Sequence, residues 1–254
     1  MAAKPQQEQK PTRGAVIGRW LVALALLGGL IGSGVTGVVW LAAPSNVPLE
    51  RVRIDGDLRH TRRELLQRTL AGELRGSFFS LDLDAVREAV ESLPWITRAS
   101  VRRVWPGTLI VHIEERAALA RWGDDALVSP LGEVFKPDPG TVPNGLAGLS
   151  GPPQSVPEVV ERYTWMRRRL AQRGLDIARL QLSGRHAWSV QLRSGLWLYL
   201  GNRDLERRLE RFLLHFPRLA EHEGLAQVDL RYTNGFAVRP RPTGAEEQET
   251  GTEG

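Results

Sequence analysis

The 254-residue chain contains no cysteine. Disulfides, thiolate zinc sites and cysteine nucleophiles are therefore excluded, and the fold is held together by packing. Histidine is scarce: His60, His112, His186, His215 and His222 form no paired metal motif. His215 and His222 would lie two turns apart on one helix, but Pro217 stands between them. The chain has neither a Gly-x-Ser-x-Gly elbow nor a Gly-x-x-x-x-Gly-Lys phosphate loop; a serine meeting a distant lysine or histidine in space stays open, but no motif assembles such a site. Asp82 and Asp84 fall at a predicted helix start, where capping and the helix dipole account for them. The chain reads as a non-enzyme without metal or cofactor.

Formal charge is missing over the 24 residues Trp20–Ala43. As a helix they rise about 36 Å, enough for a hydrocarbon layer of about 30 Å. Trp20 and Trp40 suit the two interfaces. A cleaved signal peptide competes with this reading, since Lys4, Lys10, Arg13 and Arg19 come first and Ala42-Ala43 ends the run. The run exceeds the roughly 7–15 residues of a secretory apolar region, and Leu41-Ala42-Ala43 is a poor cleavage site, so a retained anchor is expected. The basic residues ahead of the span favour a cytoplasmic N-terminus (residues 1–19) and an exported body. Gly28, Gly29, Gly32, Ser33, Gly34 and Gly37 form a small-residue stripe, equally a helix-contact face or ordinary membrane-helix composition. The net charge of +5 comes from arginines interleaved with glutamates, which does not point to nucleic acid.

Pro44–Pro48 reads as a linker. Arg51-Val52-Arg53-Ile54-Asp55-Gly56 alternates as a strand with one buried face. Thr61 and Glu64 form a capping box opening a helix with Leu65, Leu66 and Leu70, interrupted by Gly72 and Gly76. A second helix is predicted over Asp82–Leu93, where Leu83, Val86, Val90 and Leu93 share a stripe. Pro94 closes it, Ile96–Val104 is a strand, Pro106-Gly107 turns, and Leu109, Val111 and Ile113 mark a third strand. The order gives a small sheet with two helices on one face, with Trp95 and Trp105 filling the space between.

Strands follow around Leu119–Trp122 and Leu127–Ser129, and Gly132 turns between the apolar patches of Leu131–Phe135. Asp138–Pro157, rich in Pro, Gly and Ser, reads as an irregular connector outside the core. Glu158–Arg173 is helical, with Arg167-Arg168-Arg169 on its solvated face. Leu180–Leu182, Trp188–Arg193 and Leu196–Leu200 are strands, with Ser194-Gly195 as a hairpin turn. Asn202 caps a helix carrying Leu205, Leu209, Phe212 and Phe216 that ends near Pro217. Gln227–Tyr232 and Phe236–Val238 are strands around the turn Thr233-Asn234-Gly235. The fold class is α+β: an N-terminal transmembrane helix, a small α/β domain, then a β-rich domain with flanking helices.

The order of these features, with Leu93-Pro94-Trp95-Ile96, Ala99–Leu109 and Val228–Val238, resembles the FtsQ/DivIB family with its polypeptide-transport-associated (POTRA) domain. The resemblance covers roughly residues 20–240 and implies a POTRA-type domain over 49–117 and a β-rich domain over 118–240. The acidic residues 241–254 are expected to be disordered. It further implies a non-catalytic scaffold of the divisome in the inner membrane at the division septum. FtsB and FtsL are the implied partners, with septal peptidoglycan synthesis proteins beyond them. The implied partner-binding run is Tyr232, Gly235, Phe236, Ala237 and Val238, on a strand whose edge accepts a partner strand. Burial of these aromatics in the core is the competing reading. Where the resemblance calls for an aromatic shortly afterwards the chain has Pro240, at which added pairing should weaken. Arg51, Arg53, Arg59, Arg102 and Arg103 are secondary contact candidates on the first module. The runner-up, a POTRA-containing secretion or outer-membrane assembly component, calls for repeated POTRA units or a barrel, and one unit is visible. An exported hydrolase with an unrecognised site is the other alternative.

Overall fold

The computed structural model describes residues 13–42, 48–220 and 224–241. Most of the predicted acidic tail and His222 lie outside the described residues. Helix α1 (Arg13–Ala42) starts ahead of the uncharged run, and its described side chains between Trp20 and Trp40 are exposed. The segment Val22–Trp40 is long and apolar enough to cross a membrane. The chain divides into two compact units. The first runs to Asp57 and includes Arg62–Ser92 and Arg98–Glu114, while the second takes Leu58–Thr61, Leu93–Thr97 and everything from Glu115.

In the first unit β1 (Arg51–Asp55), α2 (Arg63–Glu73), α3 (Leu83–Glu91), β2 (Ile96–Val104) and β3 (Thr108–Glu115) follow the predicted order. The three-stranded sheet runs β1-β3-β2, with β1 parallel to β3. Leu66, Leu70, Val86 and Val90 from the helices and Leu109, Val111 and Ile113 from β3 are buried. Each Leu or Val of this kind contributes about 1.5–3 kcal/mol by leaving water. Asp82 caps α3, accepting the N–H groups of Asp84 at 3.0 Å and Ala85 at 3.1 Å. The predicted capping box at Thr61 does not form. Its N–H donates instead to Glu115 Oε1 at 2.7 Å, and α2 begins only after extended Arg62. Trp105 does not fill the interior either: it is 69% exposed. Trp95 is buried, but in the second unit, edge-on to Phe135 at 5.2 Å and with its ring N–H on Thr141 Oγ1 at 2.8 Å.

The second unit holds a nine-stranded sheet. Its strands are β4 (Ala120–Trp122), β5 (Ala126–Val128), β6 (Val134–Phe135), β7 (Gly148–Ser150), β8 (Ile177–Leu182), β9 (Trp188–Leu192), β10 (Trp197–Gly201), β11 (Leu225–Asp229) and β12 (Ala237–Pro240). They lie in the order β12-β11-β10-β9-β8-β7-β4-β5-β6. Helices α4 (Val156–Ala171) and α5 (Leu205–Ala220) supply Val159, Tyr163, Met166, Leu170, Leu209 and Phe212 to one core with Leu180, Val190, Leu198 and Val228. The Pro- and Gly-rich stretch read as a connector contains β7, which joins β4 to β8 in parallel with Leu149 in the core. Three residues are too few for a periodic signal, so only their neighbours define that strand. Helix α5 also differs from expectation. It begins at Leu205 rather than after Asn202 and passes through Pro217 to Ala220. Packing of Leu219 against the core accompanies the extra turn.

Candidate partner-binding edge

Strand β12 ends the sheet, and all of its residues are exposed. It pairs antiparallel with β11, matching Val238 to Val228 and Ala237 to Asp229. Strand β11 in turn lies parallel to β10, matching Leu198 to Val228 and Tyr199 to Asp229. The row Leu198–Val228–Val238 therefore crosses three strands on one face. Its first two members are fully buried while Val238 is 48% exposed. The neighbouring row Tyr199–Asp229–Ala237 lies on the other face, since side chains alternate along each strand. A concavity of about 350 Å³ there is lined by Tyr199, Asp229, Arg231, Tyr232 and Ala237. Trp197 stacks on Tyr199 at 6.2 Å beside it.

The direction of the free backbone groups follows from the strand period. Arg241 donates its N–H to Gly224 O, toward β11. The N–H groups of Arg239 and Ala237 share that direction, so Val238 points its N–H and C=O away from the sheet. Pro240 also faces outward, where its missing N–H removes no bond from the internal ladder.

Two arginines of α5 fix the approach to this edge. Arg211 donates through Nη1 to Thr233 O at 2.8 Å and through Nη2 to Leu230 O at 3.0 Å and Tyr232 O at 2.9 Å. Arg208 donates to Leu200 O and, at 3.1 Å, to Arg231 O. Gly201 makes room for it, with φ of +74° and a Cβ position only 2.8 Å from Arg208 Nη1. The turn leading into β12 is thus held by charge-assisted bonds to four successive carbonyls. Asp229 takes Arg231 Nε on both oxygens, at 2.9 and 3.0 Å. The Arg231 side-chain bonds hold the Asp229 carboxyl below the usual carboxylate range, against the opposing effect of burial.

The predicted run Tyr232, Gly235, Phe236, Ala237 and Val238 is brought together at this end of the sheet, but in different environments. Tyr232 lies beyond the end of β11 and is 59% exposed. Phe236 is partly buried, packs on the core and meets the His215 ring at 5.7 Å. It is thus part of the support under the edge. Gly235 has no heavy atom within 4 Å of a Cβ position, and Ala237 and Val238 form the exposed strand. Among the secondary candidates, Arg51, Arg53 and Arg102 are exposed in the first unit. Arg103 turns inward to the carbonyls of Phe78, Phe79 and Leu81. Arg59 belongs to the second unit, where its N–H donates to Glu115 at 2.9 Å. Arg208 and Arg211 were not singled out by sequence reading. On a helix their spacing marks only a polar face, and apart from Leu200 their carbonyl partners lie 19 to 23 residues away.

An apolar N-terminal helix, a small α/β unit and a large sheet backed by two helices fit a single-pass membrane protein with an α+β body. Residues 47–116 match the POTRA domain, FtsQ-type, and residues 120–231 match Cell division protein FtsQ/DivIB, C-terminal. The Cell division protein FtsQ of Allochromatium vinosum is 38% identical over 221 residues, 86% of this chain and 89% of that protein. That of Xanthomonas campestris pv. campestris is 36% identical over 223 residues, 87% of this chain and 79% of the relative. The Burkholderia pseudomallei protein of the same name is 39% identical over 209 residues, 80% of this chain and 84% of its own. The chain belongs to the FtsQ/DivIB family of bacterial cell division proteins.

Proposed function

We propose that this chain is a non-catalytic bitopic scaffold of the divisome. Its N-terminus is cytoplasmic, α1 is held in the inner membrane, and the chain from Pro48 onward is periplasmic at the division septum. The scaffold recruits and links septal division proteins, with FtsB and its companion FtsL as direct partners and septal peptidoglycan synthesis proteins beyond them. The observation behind this reading is the unfinished row at β12: Leu198 and Val228 are buried, and Val238, the last member, is open. An extended partner segment adds a strand there, bonding to the outward N–H and C=O of Val238 and continuing the apolar row. Exposed Tyr232 supplies aromatic contact area beside it. Tethering to a membrane raises the effective concentration of such partners, so a modest contact suffices for assembly.

The test is capture of co-expressed FtsB and FtsL by the full chain, comparing wild type with Tyr232→Ala and Val238→Asp. Both positions are exposed, so both variants should keep the wild-type unfolding midpoint while capture falls at least about tenfold. Normal capture by both folded variants would move the interface away from β12.

A further inference from the structure

We propose that the exposed Phe79–Trp105 pair is a second membrane contact, seated among the headgroups of the same anionic bilayer that receives α1. Phe79 is 46% and Trp105 69% exposed. Their rings lie 6.2 Å apart and both meet buried Phe78, at 5.1 and 6.1 Å. The pair is held outward by a dense set of bonds. Arg103, near the end of β2, donates through Nε to Phe78 O at 2.7 Å and through Nη2 to Phe79 O at 3.3 Å and to Leu81 O. Ser77 Oγ accepts the N–H groups of Phe79 at 3.3 Å and Ser80 at 3.1 Å, and Ser80 Oγ accepts the Ser77 N–H at 2.8 Å. Isolated exposed apolar side chains need no explanation, but two packed aromatics on a pinned turn form a rigid patch.

The path of the chain identifies what covers this patch. The Gly107 carbonyl, at the turn after Trp105, accepts the N–H groups of Glu50 at 2.9 Å and Arg51 at 3.2 Å. A Cβ at Gly107 would lie 3.2 Å from Pro48 O, so the aromatic turn sits where the chain arrives from the anchor. Only residues 43–47 separate Pro48 from Ala42, the end of α1. Six Cα steps reach at most about 21 Å. With 30 residues, α1 is about 45 Å long against a hydrocarbon layer of about 30 Å, so its ends extend into the interface. Trp is enriched at that depth because its ring is apolar with one polar edge. Exposed Arg75 stands shortly before Phe79 in the chain and exposed Arg51 bonds through its N–H to Gly107 O after Trp105; both match anionic headgroups, although Glu50 lies 4.0 Å from Arg51. The proposal rests on α1 crossing the membrane and is independent of the β12 edge.

The experiment uses the full chain, labelled with 5-fluorotryptophan, in nanodiscs of phosphatidylethanolamine and phosphatidylglycerol. The discs contain a lipid with a nitroxide at the top of its acyl chain. Trp105 is assigned by the resonance that disappears in Trp105→Phe. Its fluorine signal should be lost along with those of Trp20 and Trp40, while the signal of buried Trp188 persists. A Trp105 signal as sharp as that of Trp188 overturns the proposal, as does one that broadens only when division partners are added. If Trp20 and Trp40 also stay sharp, α1 does not span and the proposal falls with it. Phe79→Ser should return intensity to Trp105 without moving the unfolding midpoint, and unchanged broadening overturns the paired contact. Equal loss in phosphatidylcholine discs overturns the anionic preference.

Discussion

The two edges of the nine-stranded sheet differ in length and in burial. At one end β6 has two residues, and Phe135 within it is buried against Trp95. The Arg116 guanidinium lies 5.0 Å above the Phe135 ring and its Nε is 3.3 Å from Glu133. Lys136 and Pro137 follow at once, and Arg239 and Pro240 stand within β12, so each edge carries a charge and a missing donor that limit pairing with another chain. At the other end β12 is longer, fully exposed and entered through a turn pinned by Arg208 and Arg211. Proteins ordinarily blunt their edges, so the longer, exposed edge braced by Arg208 and Arg211 is the end at which the proposed partner strand adds.

The comparison is broken or sharpened by substitution at either end. The largest effect is expected from Trp95→Ala, which empties the closed edge. Loss of a buried tryptophan costs about 3–5 kcal/mol, measured by urea unfolding, yet the molecules that remain folded should capture partner normally. Val238→Pro is the converse. It removes an outward N–H and spares the internal ladder, so stability should hold while capture weakens by about 1.4 kcal/mol, tenfold, or more. Arg211→Met deletes the bonds to Leu230, Tyr232 and Thr233 and should cost about 1–3 kcal/mol. Amide exchange over 230–240 should rise while 120–135 stays protected, and equal loosening at both ends would refute a local role.

The smallest effect concerns Glu115. Burial pushes its carboxyl up, but donors on Thr61, Arg59 and His60 outweigh that and leave it below its ordinary value. A carboxyl that ionises more readily folded than unfolded adds stability that is full above the unfolded value. That stability is lost as pH falls through the lowered folded value. Glu115→Gln should therefore flatten the acid limb of the stability curve, and a limb identical to wild type would show that the carboxylate is not the cause.

Much of this fold was legible in one dimension, because long periodic segments report their own burial. The stripe Leu205, Leu209, Phe212, Phe216 announced α5, and Ile96–Val104 was read with its observed boundaries. The misses share a different cause. Strand β7 is too short to show a period, Thr61 lost its capping role to a carboxylate 54 residues away, and Trp105 looked like core yet faces outward. At the candidate edge, sequence resemblance placed Tyr232 and Phe236 together, but only the fold distinguished exposed Tyr232 from the supporting Phe236.

The sequence by itself determined the apolar span, the order of the longer elements, the freedom from thiol chemistry and the run that forms the last strand. These are properties of composition and local period. Tertiary structure decided which strand ends the sheet, which side of it faces outward, and that Arg208 and Arg211 brace its approach. Those depend on pairing between residues distant in the chain, where register and packing, rather than local preference, set the free energy.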